Sequence, residues 1–153
     1  METNDIGFVL IKLNNDIVYN MIMDTINKFI QDRPFDQIVI FNSDNSRIGN
    51  KNIPILHLSH AQFFTGKLVL FDIPSTLVTK NFTNVSNRYL YATDTPWTHS
   101  LESMYTDWLE IYSHQNLELI VSNNALYDIY NIMWKKPRGI SENFNYDQIK
   151  NII

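Results

Sequence analysis

The chain has 153 residues, 44% of them hydrophobic and 18% charged, with a formal net charge of -4 and no cysteine. One domain of about 100–150 residues accounts for most of that length, and no apolar run approaches the roughly 20 residues that cross a bilayer. The lack of cysteine excludes disulfides, thiolate zinc sites, iron–sulfur clusters and cysteine nucleophiles, and the acidic balance offers no global field to attract nucleic acid.

In chain order, Met1-Glu2-Thr3-Asn4-Asp5 is polar and acidic, unlike a secretory signal, so the expected location is cytoplasmic. Heavy use of Asn and Ile with little Gly suggests an AT-rich genome such as a phage's, which would make that the host cytoplasm. Gly7 to Leu13 is an apolar run of strand length, stopped by Asn14-Asn15. Asp16 can cap a helix in which Ile17, Val18, Met21, Ile22, Ile26, Phe29 and Ile30 recur every three or four residues, ending near Asp32-Arg33-Pro34. Gln37 to Phe41 is a second buried-type strand, broken by the turn chemistry of residues 42–46.

Ile53 to Leu58 and Lys67 to Phe71 are further strand-like runs, the latter closed by Asp72-Ile73-Pro74, after which Ser75 can cap a short helix. Arg88 to Ala92 is another strand, and Pro96 makes Thr93 to Trp97 a loop. The period then changes. Leu101, Met104, Tyr105, Trp108, Leu109 and Tyr112 form the stripe of an amphipathic helix, with Ser100 as its cap. Leu117 to Val121 is the last clear strand, and Ser122-Asn123-Asn124 introduces a helix whose Leu126, Ile129, Tyr130, Met133 and Trp134 share one face. Lys135 and Lys136 suit its negative end, Pro137 and Gly139 break it, and a terminal helix is expected around Tyr146–Ile152. With no repeat or linker, the pattern predicts a single α/β, Rossmann-like domain: a mostly parallel open sheet with helices on both faces.

Ligands of such sheets bind beyond the carboxyl ends of the strands, where this sequence places Asn14, Asn15, Asp44, Asp72, Asp94, Ser122 and Asn123. The same residue types also serve as caps and turn formers, which is the plainer reading of each. The phosphate-binding patterns G-x-x-x-x-G-K-[ST] and G-x-G-x-x-G are missing, as is the G-x-S-x-G nucleophile turn, and the chain holds only four glycines. His57 and His60 have metal-like spacing without a third ligand nearby. His99 follows a strand with Asp94 close in sequence, the arrangement of a general base and its orienting carboxylate, or simply of a surface histidine. His114 ends a helix and suits its dipole. Trp97 can stack on a sugar or base, or fill the core, and the cations from Lys135 to Arg138 can meet an acidic group or complete a helix end.

Gly66 to Ile73, followed by Arg88-Tyr89-Leu90-Tyr91 through Asp94 and Trp97, resembles the middle of the N-terminal Rossmann-like domain of GT-B glycosyltransferases, particularly phage-type ones. Leu119 to Asn123, Ala125 to Tyr127 and Trp134 to Pro137 are similar to the strand, helix and exit with which that domain hands over to its partner. Ser141 to Asn145 stands where those enzymes often carry an Asn-Gly-Val-Asp-like turn, here without the Gly and Asp. The resemblance implies sugar transfer from a nucleotide-sugar to a sugar acceptor, without a separate cofactor, in a cleft that Asp94, His99 and Trp97 would border. It also implies a second chain or a homodimer, because the donor sits mainly in a further domain for which this length has no room. The alternative from another class is a non-enzymatic interaction or accessory module of phage type that kept the fold without the donor-binding domain. A flavodoxin-like or receiver-like domain would need an acidic or phosphate-cradling pocket, for which only Asp44 and Asp72 stand as candidates.

Overall fold

Strands that are apolar on both faces must be covered on both, and crossover helices supply the cover. The computed structural model describes residues 4–11, 17–34, 36–43, 53–99 and 105–153. These form seven strands: β1 (Ile6–Val9), β2 (Ile38–Asn42), β3 (Ile55–His57), β4 (Lys67–Leu70), β5 (Arg88–Ala92), β6 (Leu117–Val121) and β7 (Gly139–Ile140). All pair in parallel, in the order β3-β2-β1-β4-β5-β6-β7. The expected α/β, Rossmann-like sheet is therefore present and wholly parallel. β1 is shorter than the apolar run that announced it, although the Leu10 amide still donates to Phe41 O at 2.9 Å.

Side chains alternate across the sheet and split the core in two. On one face Phe8, Ile40, Val69, Tyr89, Tyr91 and Ile120 pack beneath α1 (Ile17–Asp32). On the other face Phe41, Leu68, Leu70, Leu90, Leu119 and Val121 pack beneath α2 (Ile73–Thr79), α3 (Tyr105–Ser113) and α4 (Asn124–Met133). The last helix, α5 (Tyr146–Ile149), joins the α1 layer through Tyr146 and Ile149. The chain runs from β1 outward to β3 and then returns to place β4 on β1's other side. That reversal puts the topological switch, where such sheets open a crevice, between β1 and β4. None of the described helices is long and apolar enough to cross a membrane.

Local differences from the expected pattern have physical causes. The cap of α2 is Asp72, whose carboxylate accepts from the Ser75 amide at 2.7 Å, and Ser75 is a buried residue inside the helix. Pro74 favours this earlier start because the first helical turn tolerates proline. The α3 face is Trp108, Ile111 and Tyr112, with Tyr105 and Leu109 of the expected stripe exposed, and α4 buries Leu126 and Tyr130 but exposes Ile129 and Met133. Lys135 does not close α4. Its ammonium donates to His114 O at 3.0 Å and to Leu117 O, bracing the entry to β6. The expected caps Asp16 and Ser100, with Leu101 and Met104, lie outside the described residues.

Gly66 sets the spacing at the start of β4, because a Cβ there would lie 2.3 Å from the Asp5 carbonyl oxygen, which accepts from the Lys67 amide at 2.9 Å. Backbone cannot yield as a side chain can. Gly66→Ala is therefore expected to cost about 1–3 kcal/mol, read as a lower urea midpoint at unchanged slope. An unchanged midpoint would show that the β1–β4 junction is not close-packed.

Candidate functional site

Buried strand interiors leave polar chemistry to the strand ends, and the carboxyl edge around β5 gathers it here. Two cavities flank that edge. The first, about 360 Å³, opens between α2 and α3 and is bordered by Asp72, Leu77, Leu90, Asp94, Trp108 and Tyr112 among others. The second, about 480 Å³, lies on the α1 side and is lined by Met21, Ser122, Asn123, Glu142 and Asn143. Tyr91 and Thr93 border both, so the end of β5 is their common wall.

Asp94 and His99 meet as their spacing suggested: Oδ2 and Nε2 are 3.1 Å apart, with the side chains 58% and 61% exposed. The pair is fixed from below. The Tyr130 hydroxyl donates to Asp94 O at 3.1 Å, and the Tyr112 hydroxyl lies 3.3 Å from that of Tyr130. Burial raises both phenols, helped by the Asp94 charge: Tyr112 rises well above its ordinary value, and Tyr130 is pushed up to about 12. Both therefore remain neutral at physiological pH. Trp97, in a 3-10 turn from Pro96 to Thr98, sets its ring edge-on to Tyr130 and Tyr112, with centroids at 5.0 and 5.8 Å, and to Trp134 at 5.7 Å. It covers this aromatic cluster and lines neither cavity.

Asp72 borders the first cavity while capping α2, and Ser122 and Asn123 border the second, Asn123 also capping α4 by accepting from the Leu126 amide at 2.9 Å. Asn14, Asn15 and Asp44 lie outside the described residues. His57 caps the 3-10 helix Leu58–Phe63 through its ring nitrogen, which accepts from the Ser59 amide at 3.2 Å, and His60 is exposed. Among the described residues no three His, Asp or Glu side chains gather as a metal would require. His114 accepts from the Asn116 amide, and Arg138 spends its guanidinium on Ile152 O at 2.8 Å and on Glu118. At the end of β2, Asn42 is buried, and its Nδ2 has no partner among the described residues.

Sequence reasoning missed Tyr91. Its hydroxyl donates to Ser141 O at 2.9 Å and accepts from the Phe144 amide at 3.1 Å, holding the turn after β7. That turn has two successive left-handed residues, Asn143 (φ 53) and Phe144 (φ 51). Asn adopts this conformation readily, whereas Phe does so only under constraint. The constraint is a fully buried ring, 4.9 Å from Phe71 and 5.0 Å from Tyr91, and a carbonyl that accepts from Thr25 Oγ1 at 2.6 Å. These partners lie 50 or more positions away in sequence, and no local pattern marks them.

No family model matches the chain, and no curated protein or solved structure matches it at a significant level.

Two outcomes follow from the buried phenols. Tyr91→Phe leaves Ser141 O and the Phe144 amide without their partner and is expected to cost about 1–3 kcal/mol in urea denaturation. An unchanged midpoint would remove Tyr91 as the holder of the turn. For Tyr130, the unfolded chain loses its proton near the ordinary value of 10.0 while the folded chain keeps it to about 12. Its contribution is thus intact below pH 10 and lost between 10 and 12, a fall of roughly 3 kcal/mol. Urea midpoints measured across that range should drop, and less steeply in Tyr130→Phe. An equal slope in the variant would contradict this.

Proposed function

We propose that this edge is the acceptor side of a sugar-transfer site, with a nucleotide-sugar donor held chiefly by a second chain or a second copy. The supporting observation is the Asp94–His99 contact of 3.1 Å at the mouth of the α2–α3 cavity. His99 donates its Nε2 proton to Asp94, so Nδ1 is left to draw the proton from an acceptor hydroxyl. The acceptor oxygen then bonds to the donor's anomeric carbon as the nucleotide leaves, and Asp94 stabilises the imidazolium formed. The loose resemblance to GT-B enzymes supports the same reading, and the polar ends of β4, β5 and β6 fall where ligands of such sheets bind.

A second reading, a non-enzymatic interaction module, is favoured by apolar side chains that α4 leaves in water, above all Ile132 at 80% and Met133 at 55% exposure. The two readings separate on one assay. With UDP- and GDP-sugars, calorimetry should show saturable heat, and donor turnover should fall about 100-fold or more in His99→Ala. No heat and no thermal shift with any nucleotide-sugar would overturn the transfer reading. Self-association abolished by Ile132→Asp would then favour the module.

A further inference from the structure

We propose that the cavity between α2 and α3 binds a small compound with an apolar ring that carries a hydroxyl or a protonated amine, and that it rejects anions. This names the acceptor class for the site described above and rests on that reading, but it is a statement about binding and is tested without transfer.

The lining carries the argument. Leu77 and Leu90 line the space together with Trp108 and Tyr112, and the two aromatic rings stack at 17° with centroids 6.4 Å apart. Such walls suit a ring rather than a hydrated polyol. The volume of about 360 Å³ is at the small end for ligand cavities, enough for one substituted ring. Charge decides the rest. The ionisable lining residues are Asp72 and Asp94 together with the phenols of Tyr91, Tyr112 and Tyr130, all three raised by burial and so neutral near pH 7. No lysine, arginine or histidine is among the described residues that line it.

A phosphate or carboxylate entering here would lose its water and face two like charges with no cation to answer it among the described lining residues. The start of α2 offers no substitute, because the Asp72 carboxylate already occupies the Ser75 amide. A ring amine, by contrast, meets Asp72 or Asp94 at the mouth and the Trp108 ring within. A ring hydroxyl directed outward meets Asp94 and, beyond it, His99. The donor's diphosphate therefore belongs outside this cavity.

The test uses the full chain and three probes sharing one ring: tyramine, tyrosol and 3-(4-hydroxyphenyl)propionate. Tyramine and tyrosol are expected to give saturable heats and to change tryptophan fluorescence, each binding at least tenfold more tightly than the carboxylate. Leu77→Trp fills the cavity and should abolish binding of all three. If that variant does not fold, Asp94→Asn serves instead and should reduce the preference for tyramine over the carboxylate severalfold. Equal binding of amine and carboxylate, no binding of any probe at millimolar concentration, or an unchanged preference in Asp94→Asn would each overturn the proposal. Ring binding without any nucleotide-sugar heat would uphold this inference and sink the transfer reading. Sugar transfer without ring binding would do the reverse.

Discussion

β5 is enclosed on both faces, and that enclosure governs where anything reactive can sit. Tyr89 and Tyr91 enter one layer while Leu90 and Ala92 enter the other, and the strand pairs on both edges with β4 and β6. The one charged side chain in β5, Arg88, lies at its amino end, where the buried guanidinium donates to Thr79 O at 2.9 Å and to Phe82 O at the close of α2. A buried cation is tolerated because carbonyl oxygens at the end of α2 and just beyond it accept its hydrogen bonds. The opposite end of the strand is free to carry Thr93 and Asp94 into the open crevice.

That carboxyl end is secured from both layers by tyrosine hydroxyls. From the α4 side Tyr130 holds the Asp94 carbonyl, and on the α1 side Tyr91 holds the turn after β7. A buried phenol is costly unless it is hydrogen-bonded, so each bond both satisfies the hydroxyl and fixes a backbone segment at the cavity wall. The left-handed backbone at Asn143 and Phe144 fits the same logic. Its strain persists because the buried Phe144 ring and the Thr25 and Tyr91 bonds together specify one conformation.

Strands, helices and their parallel arrangement were legible because burial writes them as apolar runs and 3.6-residue stripes. Leu117 to Val121 and Arg88 to Ala92 emerge with the limits their residues suggested. Helix faces were less legible. In α3 an apolar residue stands at nearly every position of two adjoining faces, so Tyr105–Leu109 and Trp108–Ile111–Tyr112 compete, and only packing on the sheet selects the second. In α4 likewise, Ile129, Ile132 and Met133 complete a stripe that the sheet is too narrow to cover, since β7 contributes only two residues beyond β6. The Asp94–His99 contact was legible because five positions and one tight turn join its members. The cavities were not, because their walls come from four or more separate segments.

The two cavities differ in chemistry for a topological reason. On the α2–α4 side, crossover helices follow their strands closely and press large rings onto the sheet, so the space left between α2 and α3 is aromatic, with carboxylates only at the strand ends. On the α1 side, the cover near β5 comes from α1 and from the tight turn after β7, whose backbone curls back and turns Glu142 and Asn143 toward Ser122 and Asn123. Hydroxyls, amides and one carboxylate make that second space suited to hydrogen bonding rather than to apolar contact. Thr93 and Tyr91 separate the two, so one strand end divides an aromatic surface from a polar one. Asp94 borders the aromatic space and not the polar one, so its contact with His99 belongs to the aromatic side of the wall that Tyr91 and Thr93 form.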